Sequence, residues 1–153
     1  MITYRFEETI ERSADVVWAY AADITRHPEW MGVIDAKVIS GNPTDVGAMG
    51  RETIRVGPRR YAAEFVVSAS DPAKLIEWRV AGGVPFRGEV RLELEPLGPR
   101  STRATYSGAV RMTGLWRLLE PMMAREVRSS EAAELRRLKG VLEAPAGAIA
   151  TTS

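Results

Sequence analysis

Two glutamates hold the placements in this chain best suited to chemistry. Glu8 lies in the stretch 2–11 (ITYRFEETIE), where Ile2, Tyr4, Phe6 and Ile10 share one side. Glu52 lies in 48–56 (AMGRETIRV), on the side of Ile54 and Val56. Alternation with period two marks half-buried strands, so each carboxylate is expected on an otherwise apolar strand face. Burial there raises a carboxyl's pKa by desolvation and suits it to general acid or base work. The plainer alternative, which we prefer, puts each glutamate at the sheet rim or against an arginine. Arg51, Arg55, Arg59 and Arg60 are near in sequence.

Phenols come next. Tyr4, Tyr61 and Tyr106 fall on inward strand positions, where a hydroxyl can orient a ligand carbonyl or simply bond the backbone. Tyr106, on the last strand, ranks first. Trp78 and Trp116 can form an aromatic wall, and Met112, Met122 and Met123 suit an adaptable apolar pocket. Leu115 and Leu119 add to the apolar wall. Glu126 projects near Leu115 and Met122 on a helical wheel, either as the helix's polar contribution to a pocket or bonding outward to an arginine.

Much chemistry is excluded. There is no Cys, which removes disulfides, thiol catalysis and zinc–thiolate sites. The single His, His27, excludes a His-rich metal site and is read as a loop or helix-start residue. No G-x-S-x-G is present, and no metal or cofactor is expected. A net charge of +1 without a basic block gives no field for nucleic acid.

Strands and one long helix must position these side chains. After the first strand, Ser13 can cap a short helix carrying Val17 and Trp18, and Pro28 can open a second. Stretches 33–40, 48–56, 60–69, 75–81, 86–95 and 102–112 read as strands separated by Gly/Pro turns, hence antiparallel hairpins. Residues 113–143 show apolar positions at helical spacing. Their stripe shifts by roughly a third of a turn near Pro121. Either the helix kinks there, or 114–120 form a separate turn and Pro121 starts the main helix. A pocket is expected beneath 115–126, with Leu135, Leu138 and Leu142 clamping the helix down.

Hydrophobic residues at 45% and charged residues at 27% fit one ordinary globular domain, placed at 1–143, with 144–153 as a disordered tail. No signal-peptide pattern and no membrane-length apolar run are present, so a cytoplasmic protein without stable membrane insertion is expected. The basic stretch 50–60 reads as a solvated face balanced by Glu52 and Glu64. Arg125, Arg128, Arg136 and Arg137 likewise read as an ordinary exposed face balanced by Glu120, Glu131, Glu134 and Glu143.

Three stretches carry a resemblance. They are Thr9-Ile10-Glu11 through Val16-Val17-Trp18, the corner His27-Pro28-Glu29-Trp30, and Pro121-Met122-Met123 with the ending 135–143 (LRRLKGVLE). Together they resemble the START-like, Bet v 1-like superfamily of bacterial polyketide cyclase/dehydrase and lipid-transport proteins. The resemblance implies an α+β helix-grip fold: a curved seven-stranded antiparallel sheet around a C-terminal helix, with a cavity between them. It transfers no catalytic residue. It implies binding of a hydrophobic or aromatic small molecule such as a polyketide-like compound, lipid or quinone. The alternatives are a cyclase or dehydratase using an inward Glu, and a ligand-free interaction module, a homodimer among its forms.

Overall fold

The computed structural model describes residues 1–145. Of the tail expected to be disordered, residues 146–153 lie outside that range. Strand β1 (Ile2–Ile10) buries Ile2, Tyr4 and Ile10 on one face, as its alternation requires. Ser13 then caps α1 (Ala14–Ala21), its hydroxyl accepting the Val16 N–H at 3.3 Å. A single 3-10 turn, Ile24–Arg26, leads into α2 (His27–Trp30), where Pro28 occupies the first turn without losing a needed N–H.

The remaining strands are β2 (Asp35–Ser40), β3 (Met49–Val56), β4 (Arg59–Asp71), β5 (Leu75–Gly82), β6 (Phe86–Gly98) and β7 (Ser101–Met112). They form one antiparallel sheet in the order β1-β7-β6-β5-β4-β3-β2. Register shifts between Glu64 and Phe65 and between Val67 and Ala69 bend the middle of the sheet. β6 runs on through Pro96, past the expected turn. Its pairing with β5 ends at Glu93, so the missing Pro96 N–H is not needed on that side.

The long element divides. Gly114, at φ +59°, turns the chain out of β7 into a 3-10 helix, Gly114–Leu119. The α-helix α3 (Glu120–Glu143) starts beside Pro121. This is the second of the two arrangements expected from the stripe offset. α3 lies across β1 and against α2. Leu135, Leu138 and Leu142 bury into the core with Ile10, Trp30 and Leu92. That face anchors the helix, and the sheet's curvature leaves space under its preceding turns.

Candidate functional site

A cavity of about 300 Å³ lies between the concave face of the sheet and the middle of α3. Inward residues of successive strands build its apolar wall: Phe65, Trp78, Val80, Phe86, Val90, Val110 and Met112. Met123 and Val127 close it from α3. Exposed Gly32, Arg55, Gly57, Glu126 and Ser130 rim its mouth.

Polar groups gather at the inner end, on three linked pairs. Tyr106 from β7 donates its hydroxyl to Glu134 Oε2 at 2.8 Å, and the Gly32 N–H donates to Glu134 Oε1 at 2.8 Å. One turn earlier on α3, Glu131 faces Tyr4 from β1. The Glu131 Oε2 and the Tyr4 hydroxyl are both sealed from solvent and neither has a well-formed hydrogen bond. Glu131 as a whole keeps some surface open. The third pair is His27 Nδ1 with Glu52 Oε1 at 2.5 Å. His27 Nε2 lies 3.1 Å from the Ala21 carbonyl oxygen, which can only accept. Nε2 is therefore the donor toward Ala21, and Nδ1 is the nitrogen that faces the Glu52 carboxyl. Trp78 and Trp30 meet the His27 ring edge-on at centroid distances of 5.0 and 5.7 Å.

The electrostatics follow from burial. Glu131 is pushed up to about 8, first by desolvation and then by the neighbouring Glu134 charge; the Tyr4 and Tyr106 hydroxyls pull the other way. Glu134 is also raised by burial, against the Gly32 N–H, the Tyr106 hydroxyl and Arg137, which favour its charge. Residues three apart on a helix are neighbours, so two carboxyls there do not ionise together cheaply. Burial and these carboxylates hold Tyr4 and Tyr106 far above the usual phenol range. At neutral pH the inner end thus holds two O–H groups not committed to a well-formed bond, the Tyr4 phenol and a Glu131 carboxyl that keeps its proton. The Tyr106 hydroxyl is committed to Glu134. The two uncommitted donors can polarise a ligand carbonyl or hold a hydroxyl. Among the described residues, no group of three His, Asp or Glu is placed to hold a metal ion.

Seven candidates singled out in the sequence line this cavity: Tyr4, Glu52, Trp78, Tyr106, Met112, Met123 and Glu126. Glu8 and Tyr61 are half-buried elsewhere on the sheet, outside the cavity wall. Leu115 and Leu119 point to solvent, and Met122 lines only a shallow surface groove. Trp116 reaches across to the β3–β4 turn, where a Cβ on Gly57 would lie 3.4 Å from its ring. The physical reason is the break at Gly114: it rotates the 3-10 segment away from the sheet, so the space lies under Met123–Glu134 and not under 115–122. Glu52 finds His27 as its partner in place of an arginine, and His27 starts α2, as the helix-start alternative had it, but is fully buried. Glu131 and Glu134, expected as exposed balancing charges, belong to the site instead. Their signal in the sequence is the stripe Val127, Glu131, Glu134, Leu138, at helical spacing with two apolar neighbours.

The sequence profile of the family described as polyketide cyclase/dehydrase and lipid transport matches residues 1–143. The chain belongs to that family. Solved structures similar to this family member include a START superfamily protein from Mycobacterium smegmatis. That likeness has a TM-score of 0.80 at 16% identity, covering 94% of this chain and 98% of that one. A protein of Thermus thermophilus matches with a TM-score of 0.77 at 17% identity, over 99% of both chains. The di-domain ARO/CYC BexL from the BE-7585A biosynthetic pathway matches with a TM-score of 0.73 at 16% identity. There the match covers 95% of this chain and 48% of that one. At such identities these likenesses establish the helix-grip fold. No curated protein matches the sequence. Among the described residues no helix is long and apolar enough to cross a membrane.

Proposed function

We propose that this family member binds a small, largely apolar molecule, one or two rings in size, with a hydrogen-bonding group at one end. The reading rests on one observation. An apolar-walled cavity of about 300 Å³ has Trp78 Nε1 buried without a partner in its wall, beside the Tyr4 hydroxyl and Glu131 Oε2, which face each other without a well-formed hydrogen bond. Each such group costs about 1–3 kcal/mol when unsatisfied, and a ligand that bonds them recovers that cost. The volume is at the lower end of the range for small-molecule sites, which favours a compact ring system over a long acyl chain. The proposal keeps the cytoplasmic setting expected from the sequence.

The test is titration with a neutral naphthol, followed by fluorescence or calorimetry. A Kd near about 10 μM is expected. Val90→Trp, which fills the cavity from β6, should weaken binding by at least about tenfold. Leu97→Trp, at an exposed site, should leave it unchanged. Equal binding by wild type and Val90→Trp would refute the assignment.

A second reading, acid–base catalysis of the cyclase or dehydratase type, has one observation in its favour. Glu131 is a carboxyl that keeps its proton near neutral pH beside a phenol. It requires that Glu131→Gln abolish turnover of a bound carbonyl compound while sparing its binding.

A further inference from the structure

One end of the molecule departs from ordinary surface chemistry. Here β3 and β7 stop and β4 and β6 start, around the mouth of the cavity. Arg55 lies directly opposite Arg60 across β3 and β4, and Arg87 directly opposite Arg111 across β6 and β7. Like charges in directly opposed positions destabilise a sheet, and this end does so twice. Arg59 and Arg117 add to the same rim. None of these six exposed arginines is in an ion pair among the described residues. Elsewhere Arg5, Arg26, Arg51, Arg79, Arg91 and Arg103 have acidic partners, and Arg12, Arg128 and Arg137 bond backbone carbonyls. Arg100, Arg125 and Arg136 are scattered without an ion pair among the described residues; only at this end do such arginines face one another across strands. Of the nearby acids, Glu120 accepts the Met112 N–H and pairs with the N-terminal ammonium, with Arg111 acting on it from nearby, and Asp35 accepts the Thr53 hydroxyl. Glu89 lines the cavity and Glu126 its rim, neither in an ion pair with these arginines.

The same end projects aliphatic side chains into water. In the 3-10 segment and the first turn of α3, Leu115 is 84%, Leu118 78%, Leu119 44% and Met122 78% exposed. Contiguous exposed apolar side chains of this size mark an interaction surface.

We propose that this end docks on an anionic lipid surface, with Leu115, Leu118, Leu119 and Met122 entering the headgroup–acyl boundary and the arginines meeting lipid phosphates and carboxylates. Charge complementarity selects this occupant. A second copy would bring the same unpaired arginines face to face. Hydrocarbon accepts projecting aliphatic groups in any orientation, whereas a folded partner needs a matching pocket for each. Docking in this pose sets the cavity mouth against the lipid. It requires no spanning helix, and it stands whether or not the cavity takes the ligand proposed above.

The experiment is co-sedimentation of the full chain with two kinds of vesicle. One is phosphatidylcholine alone; the other contains about one-third phosphatidylserine, at about 50 mM and about 500 mM salt. Binding to the anionic vesicles should exceed binding to the neutral ones by about tenfold or more and should largely disappear at high salt. Leu115→Ser with Leu118→Ser, and separately Arg87→Glu with Arg111→Glu, should each weaken it by about tenfold. These sites are exposed, and circular dichroism checks that both variants remain folded. Absence of binding to anionic vesicles, or unchanged binding by the leucine variant, overturns the proposal. So does self-association of the wild type, seen by sedimentation velocity and abolished by the same leucine changes, which would assign the patch to a second copy.

Discussion

The Tyr106 hydroxyl donates to Glu134 Oε2 at 2.8 Å and so ties the last strand to the C-terminal helix at the inner end of the cavity. Both side chains are buried, so neither atom has water as a substitute. Tyr106→Phe removes the donor and leaves a buried carboxyl oxygen short of one bond. It should cost about 1–3 kcal/mol in urea unfolding. Tyr61→Phe, at a half-buried site outside the cavity, should stay within about 0.5 kcal/mol. Equal effects of the two changes would deny the tie its role.

Glu131 makes stability depend on pH in a direction opposite to that of an ion-paired carboxylate. Its carboxyl is raised from 4.5 to about 8 in the folded chain, facing Tyr4 on β1, Tyr106 on β7 and Glu134 on its own helix. Below about 4.5 both folded and unfolded chains hold the proton, and its contribution is flat. Between about 4.5 and about 8 only the folded chain keeps it, so stability falls as pH rises, then levels off. Glu131→Gln should flatten that slope. It should stabilise the protein above the upper limit by on the order of 2 kcal/mol, part of the full shift being screened where Glu131 meets the cavity. Thermal melts across that range decide it; an unchanged profile would show that Glu131 is solvated.

His27 Nδ1 meets Glu52, while Nε2 is committed to the Ala21 carbonyl. Glu52→Ala leaves Nδ1 buried beside Trp78 with no partner and should cost about 3 kcal/mol. Glu52→Gln keeps a donor toward an unprotonated Nδ1 and should cost clearly less. Chemical denaturation of both variants tests this, and equal losses would mean that the carboxylate charge, not the hydrogen bond, holds the corner.

Gly108 is where the sheet admits the Tyr4 phenol. A Cβ there would sit 2.4 Å from the Tyr4 hydroxyl oxygen and 2.8 Å from the Glu89 carbonyl oxygen. Gly108→Ala should therefore displace Tyr4 from Glu131, destabilise the fold by about 1–3 kcal/mol, and weaken naphthol binding in the same variant. Binding at wild-type strength would separate Tyr4 from the site.

Much of the architecture was legible because its signals are local. Period-two alternation located every strand within a few residues, Ser13 and Pro28 marked the starts of the short helices, and the offset at Pro121 announced a divided last element. The site was legible only in part. Trp78, Tyr106 and Met112 line the cavity because an inward strand position is set by parity alone. Leu115, Leu119 and Met122 read as pocket residues by the same kind of periodicity, yet they face water. Periodicity shows which residues share a face and leaves open what that face meets.

By itself the sequence determined the element order, the one-sided sheet and the exclusion of thiol and His-rich metal chemistry, since these follow from residue types and nearest-neighbour spacing. Only the tertiary structure decided the partners. Glu52 was expected at the rim or beside an arginine. It meets His27 because α2 packs against β2 and α3, bringing together residues 25 apart in sequence. Glu131 and Glu134 read as exposed balancing charges, and become the protonatable end of a cavity because β1 and β7 place Tyr4 and Tyr106 beneath that turn of α3. The arginines around Gly57 read as a balanced face until burial took Glu52 to His27 and Arg51 took Glu64. Charge balance along a chain is additive, whereas charge pairing in a fold depends on which groups the backbone brings within a few ångströms.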